Sequence, residues 1–175
     1  VLGLVRDVVS ARMLGASAGA DAFFVALKIP NFLRRLFAEG AFNQAFVPVL
    51  SEYRSTKSLA EVQNLIAAVA GSLGGFLFLL TAFMMVAAPL VAVPIGYGFT
   101  DEPLKFDLFV EMLRITFPYL LLISMTAFCS AILNSYGRFA IPAITPALLN
   151  ISLIACAFLL APHLRVPELA LAWGV

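Results

Sequence analysis

Two arginines and a glutamate stand inside an otherwise apolar run, "PNFLRRLFAEGAFNQAF", as Arg34, Arg35 and Glu39. A second basic–acidic pair, Arg6 and Asp7, interrupts "GLVRDVV" near the N-terminal end. A charge at the centre of a bilayer costs at least about 2.5–3.5 kcal/mol on insertion scales, so such groups face one another or a water-filled cavity. Arg35 and Glu39 are four residues apart, the spacing of an ion pair on one helix face. Arg34 has no acid three or four residues away on either side. On a helical wheel Asp7 points about 100° away from Arg6. Two cations without local partners, on separate helices, describe a polar cavity that receives an anion. A guanidinium grips phosphate through two parallel hydrogen bonds, so a phosphorylated or diphosphate headgroup is the natural guest.

The remaining charges of this region follow the helical period. In a straight helix Asp21, Lys28, Arg35 and Glu39 share one narrow stripe, with Asn43 close by, and Arg34 lies about 100° round on the side of Asn31. For Asp21, Lys28 and Glu52 the plainer reading is snorkelling toward the headgroups and pairing along the stripe. Other chemistries find no support. The lone histidine, His163, follows a proline without a second ligand nearby, and the chain has no zinc spacing, GxSxG, Walker loop or dinucleotide fingerprint. Cys129 and Cys156 lie in apolar runs and read as small buried hydrophobes. No cofactor and no metal are expected, and a net charge of +1 gives no reason to expect nucleic acid.

The elements that must carry these charges are membrane helices. Of 175 residues 62% are hydrophobic and 12% charged, with a mean hydropathy of +1.01. Soluble domains run nearer 25% charged and about 45–50% apolar. Residues 62–100, 115–137 and 139–164 carry no Asp, Glu, Lys or Arg, and each exceeds the roughly 20 residues that cross a bilayer core. The expected fold class is all-α, a polytopic transmembrane helix bundle of five to six helices. The expected helices are 1–16, 21–52, 58–95, 105–136 and 139–161, with another starting at 167–175, all in a single transmembrane domain spanning 1–175. "SLAE" at Ser58 to Glu61 reads as a capping box opening the 58–95 helix. Gly71 and Gly75 have the GxxxG spacing of close helix packing. Arg54, Lys57 and Arg138 mark the connections at 51–58 and 135–139 as cytoplasmic, leaving 16–20, 96–104 and 161–167 outside. The chain opens on "VLGLVRDVV" without a methionine and closes on "LALAWGV" as a helix begins, so a longer polytopic protein is expected.

The residues quoted so far also carry a resemblance. The run from Val1 to Tyr53, together with "MLRITFPYLLLIS", "AILNSYGRFAIPAITPALLNIS" and "LALAWGV", resembles the N-terminal lobe of the MurJ (MviN) lipid II flippase family of the MOP exporter superfamily. That resemblance implies one lobe of a fourteen-helix, two-lobed transporter in the bacterial cytoplasmic (inner) membrane, not an enzyme. It implies translocation of lipid II by alternating access, with lipid II and membrane lipids as partners and the peptidoglycan synthesis machinery as a further candidate. By the same resemblance Arg6, Arg34 and Asn31 line a cationic substrate cavity and Asp7, Asp21 and Glu39 belong to gates, while Arg35 is read from its spacing as the ion-pair partner of Glu39. Two alternatives stand beside it: another MOP exporter, either a drug antiporter or a polysaccharide-lipid flippase, and a membrane enzyme acting on prenyl diphosphates. The enzyme would need metal-binding acid pairs or a nucleophile with a base. Asp101 and Glu102 are adjacent but lie in an expected outer loop.

Overall fold

A computed structural model describes residues 2–14, 18–35, 41–95, 102–164, 166 and 169–175; the side chains of 13–14, 18–20, 34 and 41–43 are outside the described set. The described residues are helical almost throughout. They form α1 (Leu2–Leu14), α2 (Ala18–Arg34), α3 (Ala41–Thr56), α4 (Leu59–Val86), α5 (Ala88–Ile95), α6 (Pro103–Ser135), α7 (Ala140–Leu159) and α8 (Leu169–Gly174), with a 3-10 turn at Ala161–His163. Among them α4, α6 and the stretch Ala140–His163 are long and apolar enough to cross a membrane.

Local chemistry accounts for several of the boundaries. Ser58 opens α4 as the sequence suggested. Its Oγ accepts the Glu61 N–H at 3.4 Å, and its own N–H donates to Glu61 Oε2 at 2.9 Å. The expected 58–95 helix is divided at Ala87. Ala87 N–H still bonds Phe83 O at 2.8 Å and Val91 N–H bonds Ala87 O at 3.0 Å. Between them Pro89 has no N–H to give, so the ladder lapses there and α5 begins with proline in its first turn. The expected 21–52 helix falls on two described elements, α2 and α3, with a π-type position at Arg35 and residues 36–40 outside the described set.

α6 is the spine of the bundle. Its most apolar window is 33% buried, against 11% for α4 and for Ala140–His163. Two apolar clusters share it. In the larger, Ala22, Phe23 and Ala26 of α2 gather with Phe109, Leu113 and Phe117 of α6, joined by residues of α5, α7 and α8. In the smaller, Phe46 and Leu50 of α3 meet Val62 of α4 and Phe128 of α6, and the Phe46 and Phe128 rings tilt at 48° with centroids 5.1 Å apart. α2 and α3 thus lean on different halves of one helix. On the outside Phe78, Leu79, Phe83 and Val86 of α4 are 62–81% exposed, as suits a helix whose solvent is lipid.

Two sequence expectations change here. A Cβ at Gly71 or Gly75 would meet nothing within 4 Å, whereas one at Gly74 would touch Met125 Sδ at 3.7 Å. The GxxxG pair is turned away from α6 because the face bearing Ile66, Val69, Ala70 and Leu73 is the one that packs. Cys129 is exposed and Cys156 partly so, both as free thiols, because an apolar side chain on an outer helix face is not penalised in lipid.

Candidate functional site

α1 lies along α7 and faces α2 across a groove made of three adjoining clefts. The first, about 510 Å³, is lined by Arg6, Asp7 and Ser10 from α1, by Phe23, Phe24 and Leu27 from α2, and by Leu153 of α7. The second, about 340 Å³, is again lined by Arg6, Leu27 and Leu153, and adds Asn31 with Tyr119 and Thr145 of α6 and α7. The third, about 420 Å³, runs along α2 past Lys28, Asn31 and Arg35. Leu27 lines all three clefts and Asn31 lines two of them, so the groove is continuous. Its walls are mainly apolar, with cations set along them.

Helical period explains which α2 residues reach the groove. Leu27 and Asn31 are four residues apart, and Lys28 and Arg35 seven apart, so the pairs form neighbouring rows of one face. Lys28 and Arg35 are both exposed, and no ion pair to either is present among the described residues. Ala22 and Ala26 are fully buried with α6, on the face turned away from the groove.

Arg6 requires a correction. The wheel left it without a local partner, yet its Nη2 lies 2.6 Å and its Nε 2.9 Å from Asp7 Oδ1. Although adjacent Cβ atoms diverge, the long guanidinium arm folds sideways and places its donor edge against the neighbouring carboxylate. The Arg6 side chain is 36% exposed and that of Asp7 63%, so the pair stands at the groove wall instead of in the core. Exposed pairs of this kind are worth little to stability, about 0–1 kcal/mol.

The other sequence-derived residues divide clearly. Asn31 and Arg35 line the groove with Arg6. Asp21 is exposed in the first turn of α2, outside the groove, where the helix N-terminus favours a carboxylate. Arg34 is the last α-helical residue of α2, with its side chain outside the described residues. Glu39 lies outside them altogether, and with it the expected Arg35–Glu39 pair. Sequence reasoning passed over Tyr119 and Thr145 and treated Lys28 as a snorkelling residue. Each of the first two abuts a proline, Pro118 and Pro146, and those mid-helix prolines were the available signal.

With Arg6, Lys28 and Arg35 set against one carboxylate, Asp7, among the described lining residues, the groove can hold an anionic headgroup while its Phe and Leu walls accept apolar substance. No grouping of His, Cys, Asp and Glu able to hold a metal ion occurs among the described residues.

The family model described as "Lipid II flippase MurJ" matches residues 10–175. A "Probable lipid II flippase MurJ" of Haemophilus influenzae is 50% identical over 182 residues, covering 100% of this chain and 36% of that protein. A "Lipid II flippase MurJ" of Burkholderia cenocepacia is 45% identical over 175 residues, covering 100% of this chain and 34% of its own length. A solved structure described as "Lipid II flippase MurJ, inward closed conformation" superposes with a TM-score of 0.77 at 32% identity, over 99% of this chain and 36% of that one. The chain therefore spans about a third of the length of the relatives it matches.

Proposed function

Because the chain belongs to the lipid II flippase MurJ family, we propose that its groove is one wall of a cationic vestibule for the diphosphate of lipid II. The whole protein then carries this peptidoglycan precursor from the cytoplasmic to the periplasmic leaflet of the bacterial inner membrane. The observation that carries the reading is the meeting of Arg6 from α1 and Asn31 from α2 at one cleft, which continues past Lys28 and Arg35. Cations on two helices, with an amide between them, suit the spread charge of a diphosphate better than a single point charge would.

Asp7 has a part in this chemistry. It occupies the donor edge of Arg6 that a phosphate oxygen would use. One anion can replace the other without leaving the guanidinium unpaired, and the displaced Asp7 carboxylate stays on the exposed side of the groove wall. Arg34, next to Arg35 at the end of α2, is assigned to the same vestibule. Asp21 at the start of α2 and Glu39 beyond its end are assigned to opposite closures of an alternating-access cycle, in which two lobes rock about a midplane site.

The test is made in a full-length family member carrying this region. Arg6→Ala or Arg34→Ala abolishes growth support on depletion of the native flippase, with membrane levels unchanged. Lysine at either position rescues in part, since it keeps the charge but loses the planar fork. Normal growth of both alanine variants would overturn the diphosphate vestibule. For the closures, a crosslink from Asp21→Cys to the facing lobe arrests delivery until it is reduced; continued delivery removes Asp21 from that role.

A further inference from the structure

Arg54 stands in the last turn of α3, away from the groove, and its guanidinium makes two contacts at once. Nη1 donates to the carbonyl oxygen of Ser135, 81 residues along the chain, and Cζ lies 4.0 Å from the centroid of the Tyr136 ring. The end of α6 explains why that exposed carbonyl is open to an outside donor. The last four carbonyls of a helix lack intrahelical partners. Here Arg138 N–H takes Leu133 O at 2.9 Å and Gly137 N–H takes Asn134 O at 3.0 Å. This is the Schellman pairing, made possible by the φ of 73° at Gly137. Ile132 O accepts from Tyr136 N–H at 3.2 Å and from Ser135 Oγ at 2.7 Å. Ser135 O comes one position later, beyond the reach of the motif and at the negative end of the helix dipole. A guanidinium suits that place, since it stays charged and can lie flat on a ring while its edge donates.

We propose that Arg54 is a positioning residue for transport, a staple that pins α3 to the C-terminal end of α6. This rests on the flippase reading of the groove. α6 is the common support: α2, which carries Asn31, packs on its first half, and α3 packs on its second. The hold of α3 is the weaker of the two, centred on Phe46, Leu50, Val62 and Phe128. A charge-assisted bond at its far end fixes the angle of α3 to the spine. With both helices fixed to α6, the cations of α2 and the inner end of the bundle move together when the lobe rocks.

The experiment uses a full-length family member with Cys129 and Cys156 replaced. Spin labels at Lys57→Cys and Asn134→Cys report the α3–α6 separation, and reconstituted vesicles report lipid II translocation. Arg54→Gln is expected to broaden the distance distribution and slow translocation about tenfold, with lipid II binding unchanged. Arg54→Lys restores a narrow distribution and most of the rate. Joining Arg54→Cys to Ser135→Cys with a bis-maleimide the length of the arginine arm restores the rate without the charge. Three outcomes would overturn the staple: a narrow distribution in Arg54→Gln, an unchanged rate in that variant, or a crosslinked protein that stays slow. The last would mean that the guanidinium acts on a ligand. A parent that translocates no lipid II overturns the flippase reading alone, and the label distances then decide the staple.

Discussion

Arg6 and Arg54 are the same side chain in two regions of one small bundle, and their partners separate their uses. Arg6 faces a groove and is held by the Asp7 carboxylate at 2.6 Å, with more than a third of its side chain exposed. Arg54 is held by a backbone carbonyl and an aromatic face at the end of α6. A carboxylate and a phosphate are interchangeable acceptors, so the first arginine can trade its partner for a ligand. A helix carbonyl cannot leave, so the second arginine keeps a fixed partner. An arginine paired with an acid is therefore available for binding, whereas one paired with backbone is part of the scaffold.

The largest effect that could break this contrast is at Arg6. In a full-length family member Arg6→Ala is expected to lower lipid II translocation at least about hundredfold, and Arg54→Gln about tenfold; equal losses would mean that both arginines do the same work. Next comes the partner. If Asp7 holds the place of a phosphate, Asp7→Asn raises lipid II affinity about tenfold, measured by equilibrium binding in detergent, and slows release. Weaker binding would show instead that Asp7 organises the site. At Gly137 the positive φ of 73° penalises any side chain, so Gly137→Val costs about 1–2 kcal/mol. This is read as a lower thermal midpoint with lipid II affinity unchanged. The smallest effect lies at the start of α4. Ser58→Ala removes the capping box and costs about 1 kcal/mol, again with no change in affinity.

Much of the architecture was legible because lipid simplifies the code. Uncharged runs of the required length announced the spans, and "SLAE" announced the start of α4. What could not be read was orientation about the helix axis. The GxxxG pair of α4 faces away from its neighbours because Gly74, not Gly71 or Gly75, meets α6 through Met125. Of the candidate site, the charges and their helical rows were legible. Arg6 and Asn31 share one cleft, and Asn31 and Arg35 the next, but the Arg6–Asp7 bond escaped a wheel that tracks Cβ directions and ignores the reach of a long side chain. Tyr119 and Thr145 escaped because neither carries a charge to draw the eye.

One dimension of α6 sets how the bundle sits in its membrane. With 33 residues at 1.5 Å each the helix is about 50 Å long, and a hydrocarbon core is about 30 Å thick. Its second part, from residue 115 onward, carries no charge, while Asp107, Glu111 and Arg114 form an exposed row on its first three turns. Lys105 in its first turn bonds Glu102, the residue just before the helix, at 2.9 Å. An oil–water boundary crossing α6 near Arg114 would leave about 18 Å of helix beyond it. α6 is a depth gauge as well as a spine: lengthening its uncharged part by one turn would lift that charged collar, and everything packed on it, by about 5 Å.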